Sequence, residues 1–98
     1  MTDPSPGPFR VVISRAQMEA LEGMAAVVPR AEFLRWLREL DYRLSREPDE
    51  WGESREFLPA VGLQVRFGAV GRLAVWYGVK AETRTVYLKR FRLRGDPN

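Results

Sequence analysis

The chain has no cysteine and no histidine. Without cysteine there is no disulfide framework and no thiolate to act as nucleophile or ligand. Without histidine, the usual metal ligand and the usual proton carrier at neutral pH are both missing. Neither a metal centre nor any other cofactor is expected. No apolar run approaches the roughly 18 residues of a membrane span. The N-terminus lacks a basic segment followed by an apolar one, so no secretory signal is read. The expectation is a cytoplasmic protein with no membrane role. What is present is 98 residues, of which 45% are hydrophobic. That suits one small domain with a thin core.

Charge is unevenly spread. From Val61 onward there are eight basic residues and two acidic ones, a balance of +6. The whole chain carries +3, which leaves −3 for the rest. A basic half of this kind suits an anionic partner, although charge alone does not distinguish a partner from an Arg-rich solvated surface.

Along the chain, residues 1–8 (M-T-D-P-S-P-G-P) hold three prolines and a glycine and read as a disordered tail. Phe9 to Ser14 is a β-branched first strand. Ser14 and Gln17 have capping-box spacing and predict a helix over 15–26. Met18, Leu21 and Ala25 give that helix a modest apolar stripe, and Gly23 weakens it. Pro29 introduces a second helix over 30–46, where Phe33, Leu37, Leu40 and Leu44 step at helical spacing. Its charges read as a solvated face. Residues 47–59, punctuated by Pro48, Gly52 and Pro59, read as a loop pinned by Trp51, Phe57 and Leu58.

The stretch from Val61 to Arg94 organises the rest. It contains three strand-like runs and two short turns, which is the pattern of an antiparallel meander. Val61, Leu63, Val65 and Phe67 alternate with Gly62, Gln64 and Arg66. Leu73, Val75, Tyr77 and Val79 alternate with Arg72, Ala74, Trp76 and Gly78. Period two means one face buried and one open. If both apolar sets face inward, odd positions oppose odd ones. A turn of about three or five residues at Gly68 to Gly71 would allow that. Arg66 and Arg72 would then meet on the open face, where like charges repel unless an anion sits between them. In the third run, Phe91 and Leu93 point inward and send Arg90 and Arg92 to the open face. Lys89 shares parity with Phe91, a conflict that a bulge or an edge position would resolve. Residues 95–98 end the chain as a short tail. The expected fold is α+β. A strand and a two-helix hairpin precede a three-stranded antiparallel meander, and the helices pack on one face of a four-stranded sheet, within one domain over 9–94.

That order of elements resembles the RelE/ParE superfamily of toxins from bacterial type II toxin–antitoxin systems. The residues that carry the resemblance are F-R-V-V-I-S, then the Leu40 to Pro48 helix end with E-P-D-E-W-G, and G-L-Q-V-R-F. G-R-L-A-V-W-Y-G-V and R-T-V-Y-L-K-R-F-R follow. The resemblance implies a toxin with a cognate antitoxin. In the ribonuclease branch it implies cleavage of mRNA on the ribosome. By the same resemblance, Arg66, Arg72, Arg90 and Arg92 are the catalytic candidates, and Gln64, Trp76, Lys89 and Arg94 are RNA-binding candidates. Their chemistry would be orientation of a phosphate attacked by a ribose 2′-OH, and stabilisation of the charge that develops. Trp76 could stack on a base or cover a neighbouring loop. The chain departs from that branch in having Gln64 in place of a basic residue, no histidine, and no tyrosine or histidine after the last strand. The alternatives are a ParE-like inhibitor of DNA gyrase, which needs no proton carrier, and a non-toxic relative that only binds a partner.

Overall fold

The computed structural model describes residues 8–95. The two tails expected at the ends therefore fall almost wholly outside the described residues. The elements are β1 (Arg10–Val12), α1 (Arg15–Ala25), α2 (Arg30–Arg46), β2 (Glu53–Leu58), β3 (Leu63–Val70), β4 (Leu73–Lys80) and β5 (Thr85–Leu93). A single turn of 3₁₀ helix, Ala81–Thr83, links β4 to β5. The sheet has five strands in the order β1-β5-β4-β3-β2. β1 runs parallel to β5, and every other pair is antiparallel.

The α+β architecture and the helix bounds match the sequence reading. Ser14 caps α1, accepting from the Gln17 amide at 3.2 Å. The Gln17 side chain does not close a capping box, however. It donates to the Lys89 carbonyl at 2.8 Å and ties α1 to β5. The α2 stripe is the main cover of the sheet. Phe33, Trp36, Leu40 and Leu44 are buried against Leu73, Val75, Tyr77, Val79, Val86 and Phe91. Burying side chains of this size stabilises by roughly 1.5–3 kcal/mol each. α1 has no fully buried residue; Leu21 and Met24 are only partly covered.

Three expectations are corrected. The sheet has a fifth strand, because residues 53–58 of the expected loop pair with β3 as β2. Pro48 and Gly52 end the loop before that pairing begins. Val61 is exposed in the turn between β2 and β3, and β3 starts at Leu63.

The third correction concerns register. Gly68 lies within β3, and the β3–β4 turn has only two central residues, Gly71 and Arg72, with Val70 paired to Leu73. Gly71 has φ +58, as the first central residue of a tight hairpin turn requires. Trp36 packs against it so closely that a Cβ there would overlap the indole. A two-residue turn pairs even positions of β3 with odd positions of β4. One step of register turns every side chain over. The face beneath the helices therefore receives Gln64, Arg66 and Gly68, while Leu63, Val65 and Phe67 share the opposite, bare face with Trp76 and Gly78.

β5 resolves its conflict as expected. A register shift between Trp76 and Tyr77 makes Lys89 the extra residue of a bulge. Val86 and Phe91 consequently both reach the core, where both are buried. Arg90 and Arg92 lie opposite Trp76 and Ala74 on the bare face.

A candidate nucleic-acid interface on the bare sheet face

The bare face is built on a row of side chains running across the strands. Phe67 on β3 and Trp76 on β4 are directly paired, with ring centroids 4.6 Å apart and planes tilted by 53°. The Arg90 guanidinium of β5 lies 5.0 Å from the Trp76 ring centre. The Arg55 guanidinium of β2 lies 5.1 Å from that of Phe67. Four adjacent strands thus contribute an arginine, two aromatic rings and an arginine in sequence. Such contacts hold guanidinium groups flat without neutralising them.

Beside this row, Phe67, Ala74, Trp76, Arg92, Arg94 and Gly95 line a shallow cavity of ≈ 330 Å³. Its wall is mostly apolar, and two guanidinium groups stand at its rim. Among the described residues, no carboxylate lies within ion-pair distance of Arg90, Arg92 or Arg94. Arg94 donates to the Gly71 carbonyl at 3.2 Å, which draws it toward the hairpin end of the cavity. Arg55, by contrast, is paired with Glu53 at 3.2 Å.

The candidates from the sequence divide by this geometry. Arg90, Arg92, Arg94 and Trp76 come together on the bare face. Lys89 is exposed in the adjoining bulge. Arg72 is exposed in the β3–β4 turn at the cavity's end, where its Nε donates to the Arg94 carbonyl at 3.0 Å. Arg66 and Gln64 are on the other face, contrary to expectation, because the two-residue turn inverted β3. Arg66 donates from Nε to the Trp51 carbonyl and from a terminal nitrogen to the Gly52 carbonyl, both at 3.1 Å. Gln64 donates to Ser54 Oγ at 2.5 Å and to the Glu56 carbonyl at 2.9 Å, stitching β3 to β2. Sequence reasoning missed two members of the row. Phe67 was assigned to the core by parity. Arg55 was assigned to a loop, and its only sequence signal is the charged E-S-R-E run between Gly52 and Phe57.

The Tyr77 phenol of β4 is buried. Burial pushes it above its ordinary value near 10, and the hydrogen bond and charge of Arg66 partly oppose the rise. It faces the core side, not the bare face.

No protein-family model matches the chain, and no curated protein matches it. Two solved structures do. One is a chain of the archaeal RelE–RelB complex from Pyrococcus horikoshii OT3, with 22% identity and a TM-score of 0.69 over 91% of this chain and 98% of that one. The other is a chain of the toxin–antitoxin complex RelBE2 from Mycobacterium tuberculosis, with 21% identity and a TM-score of 0.67 over 96% and 100%. The chain has a RelE-type fold. At these identities the likeness is one of fold, and the arrangement of arginines described above stands on this chain's own geometry. No helix among the described residues is long and apolar enough to cross a membrane.

Proposed function

We propose that this protein is the toxin of a toxin–antitoxin pair and that its bare sheet face handles single-stranded RNA, with ribosome-bound mRNA as the target. The observation that carries this reading is the row of Arg90, Trp76 and Phe67 beside the Arg92–Arg94 cavity. These groups combine stacking surface with cations that no carboxylate neutralises among the described residues. An unstacked base lies on Trp76, and its phosphate meets Arg92 and Arg94. Attack of a ribose 2′-OH on that phosphate forms a P–O2′ bond as the P–O5′ bond breaks, with water taking the 2′-OH proton and returning one to the departing 5′-oxygen, and negative charge builds on the non-bridging oxygens. Fixed guanidinium groups stabilise that charge. With no histidine in the chain, the face supplies position and charge. The unit that does this is the single domain over 9–94, acting in the cytoplasm without metal or cofactor. Its cognate antitoxin covers the same basic face with acidic side chains. The two fold neighbours, one named as a RelE–RelB complex and the other as a toxin–antitoxin complex, support such a partner.

A second reading is favoured by the lack of histidine. A ParE-like inhibitor of DNA gyrase, or a relative that only binds its partner, needs no proton carrier. Purified protein incubated with ribosomes and a reporter mRNA separates these readings. The RNA reading expects cleavage that Arg92→Ala abolishes. Intact mRNA with inhibited gyrase supercoiling would support the ParE-like reading. Neither activity, with tight binding of a co-encoded acidic protein, would leave the binding-only one.

A further inference from the structure

Arg66, which the sequence assigned to phosphate, has a different task in the structure, and it shares that task with the buried Tyr77. Arg66 and Tyr77 are directly paired across β3 and β4, on the helix side. Together they grip the loop that joins α2 to β2. The Tyr77 hydroxyl lies 2.8 Å from the Pro48 carbonyl and 2.6 Å from that of Trp51. Arg66 donates to the same Trp51 carbonyl and to that of Gly52. The Trp51 ring stacks on Tyr77, with centroids 5.8 Å apart and planes within 18°. Its far edge presses on Gly68, where a Cβ would come within 2.6 Å of the indole. Gly52, at φ +75, lies so close to the Phe67 carbonyl that no side chain fits there. The next residue, Glu53, begins β2 opposite Phe67. Two residues on, at the β2 bulge, Arg55 reaches over the Phe67 ring on the bare face.

We infer that Arg66 and Tyr77 are positioning residues for the bare-face site. They clamp the Trp51–Gly52 carbonyls from the helix side, which fixes where β2 starts and so holds Arg55 on the aromatic row. The inference rests on the proposed RNA role of that row, but the clamp itself is testable without it. Two donor groups, the Arg66 guanidinium and the Tyr77 hydroxyl, converge on three carbonyls of one short loop, those of Pro48, Trp51 and Gly52. An edge strand whose side chains are almost all exposed has few other contacts to fix its start. A guanidinium with two of its nitrogens bonded to backbone carbonyls is held in place, facing away from any phosphate bound on the opposite face.

Amide hydrogen exchange and titration with a short single-stranded RNA carrying 2-aminopurine test this on the full chain. In Arg66→Ala, the β2–β3 amides are expected to exchange at least ten times faster, while those between β4 and β5 stay within twofold. Tyr77→Phe keeps the ring stack and should loosen the same amides. The double variant should lose less protection than the two single effects together, because both groups hold the Trp51 carbonyl. RNA affinity should fall in Arg66→Ala by about as much as in Arg55→Ala, and the fall should not be repeated when Arg66→Ala is added to Arg55→Ala. Arg66→Lys should not restore it, because one ammonium cannot replace the two-pronged donation. The clamp is overturned if β2 protection is unchanged in Arg66→Ala. It is equally overturned if affinity drops and Arg66→Lys restores it, which would mean that Arg66 meets phosphate as a simple cation. If wild-type protein binds no RNA, the functional reading fails, and the exchange data still decide the clamp.

Discussion

At the scale of single residues, face matters more than type. Arg66 and Arg92 are both strand arginines in a basic segment, yet one is bonded to loop carbonyls and the other borders an open cavity. Trp76 and Trp51 differ in the same way. Removing a stacking platform costs about 1–3 kcal/mol per base. Trp76→Ala should therefore weaken single-stranded RNA binding by roughly 5- to 150-fold in a fluorescence titration, with the melting temperature little changed. Tyr77 makes a pH prediction. Its phenol is pushed upward by burial, so above about pH 10 the unfolded chain releases a proton that the folded chain keeps. The unfolded state then binds fewer protons, and stability falls as pH rises. Below that range the contribution is intact. Denaturation midpoints measured from pH 9 to 11.5 should decline, and Tyr77→Phe should flatten the decline.

At the scale of elements, the β3–β4 turn decides which arginines belong to the site. Gly71 combines a positive φ with the close approach of Trp36. Gly71→Ala should destabilise by about 1–3 kcal/mol through strain at that φ, seen as a lower urea midpoint with an unchanged slope. Much of the architecture was legible in the sequence. The α2 stripe, the Ser14 cap, the alternation in β4 and the Lys89 bulge each follow from local residue character. The β3 register did not follow, because alternation shows that a strand has two faces without showing which is inside. Leu63, Val65 and Phe67 read as core, yet they line the bare face, while Gln64 bonds to strand β2 and Arg66 to the Trp51 and Gly52 carbonyls. β2 was missed for a related reason. Its run is charged and its burial slight, so its identity as a strand comes from pairing with β3, which only the fold supplies.

At the scale of the whole molecule, the helices cover one face of the sheet and leave the other to solvent. The charge imbalance read from the sequence is concentrated where Arg90, Arg92 and Arg94 have no carboxylate partners among the described residues. For single strands, the logarithm of affinity falls with that of salt at about −0.7 per phosphate neutralised. Three such arginines predict a slope of about −2, and Arg92→Ala should reduce it by about 0.7. The half of the candidate site on β4 and β5 was legible because its alternation was anchored by Phe91 and Leu93. The half on β2 and β3 was not, because the face of β3 depends on a turn length that both patterns tolerate and β2 is a strand only through its pairing. The most direct test of the account is NMR chemical-shift mapping of the labelled protein with a short single-stranded RNA. Shifts centred on the Trp76 indole N–H and the side chains of Arg90, Arg92 and Arg94 are predicted. Shifts centred on α2 or the Trp51 loop, with the bare face silent, would contradict it.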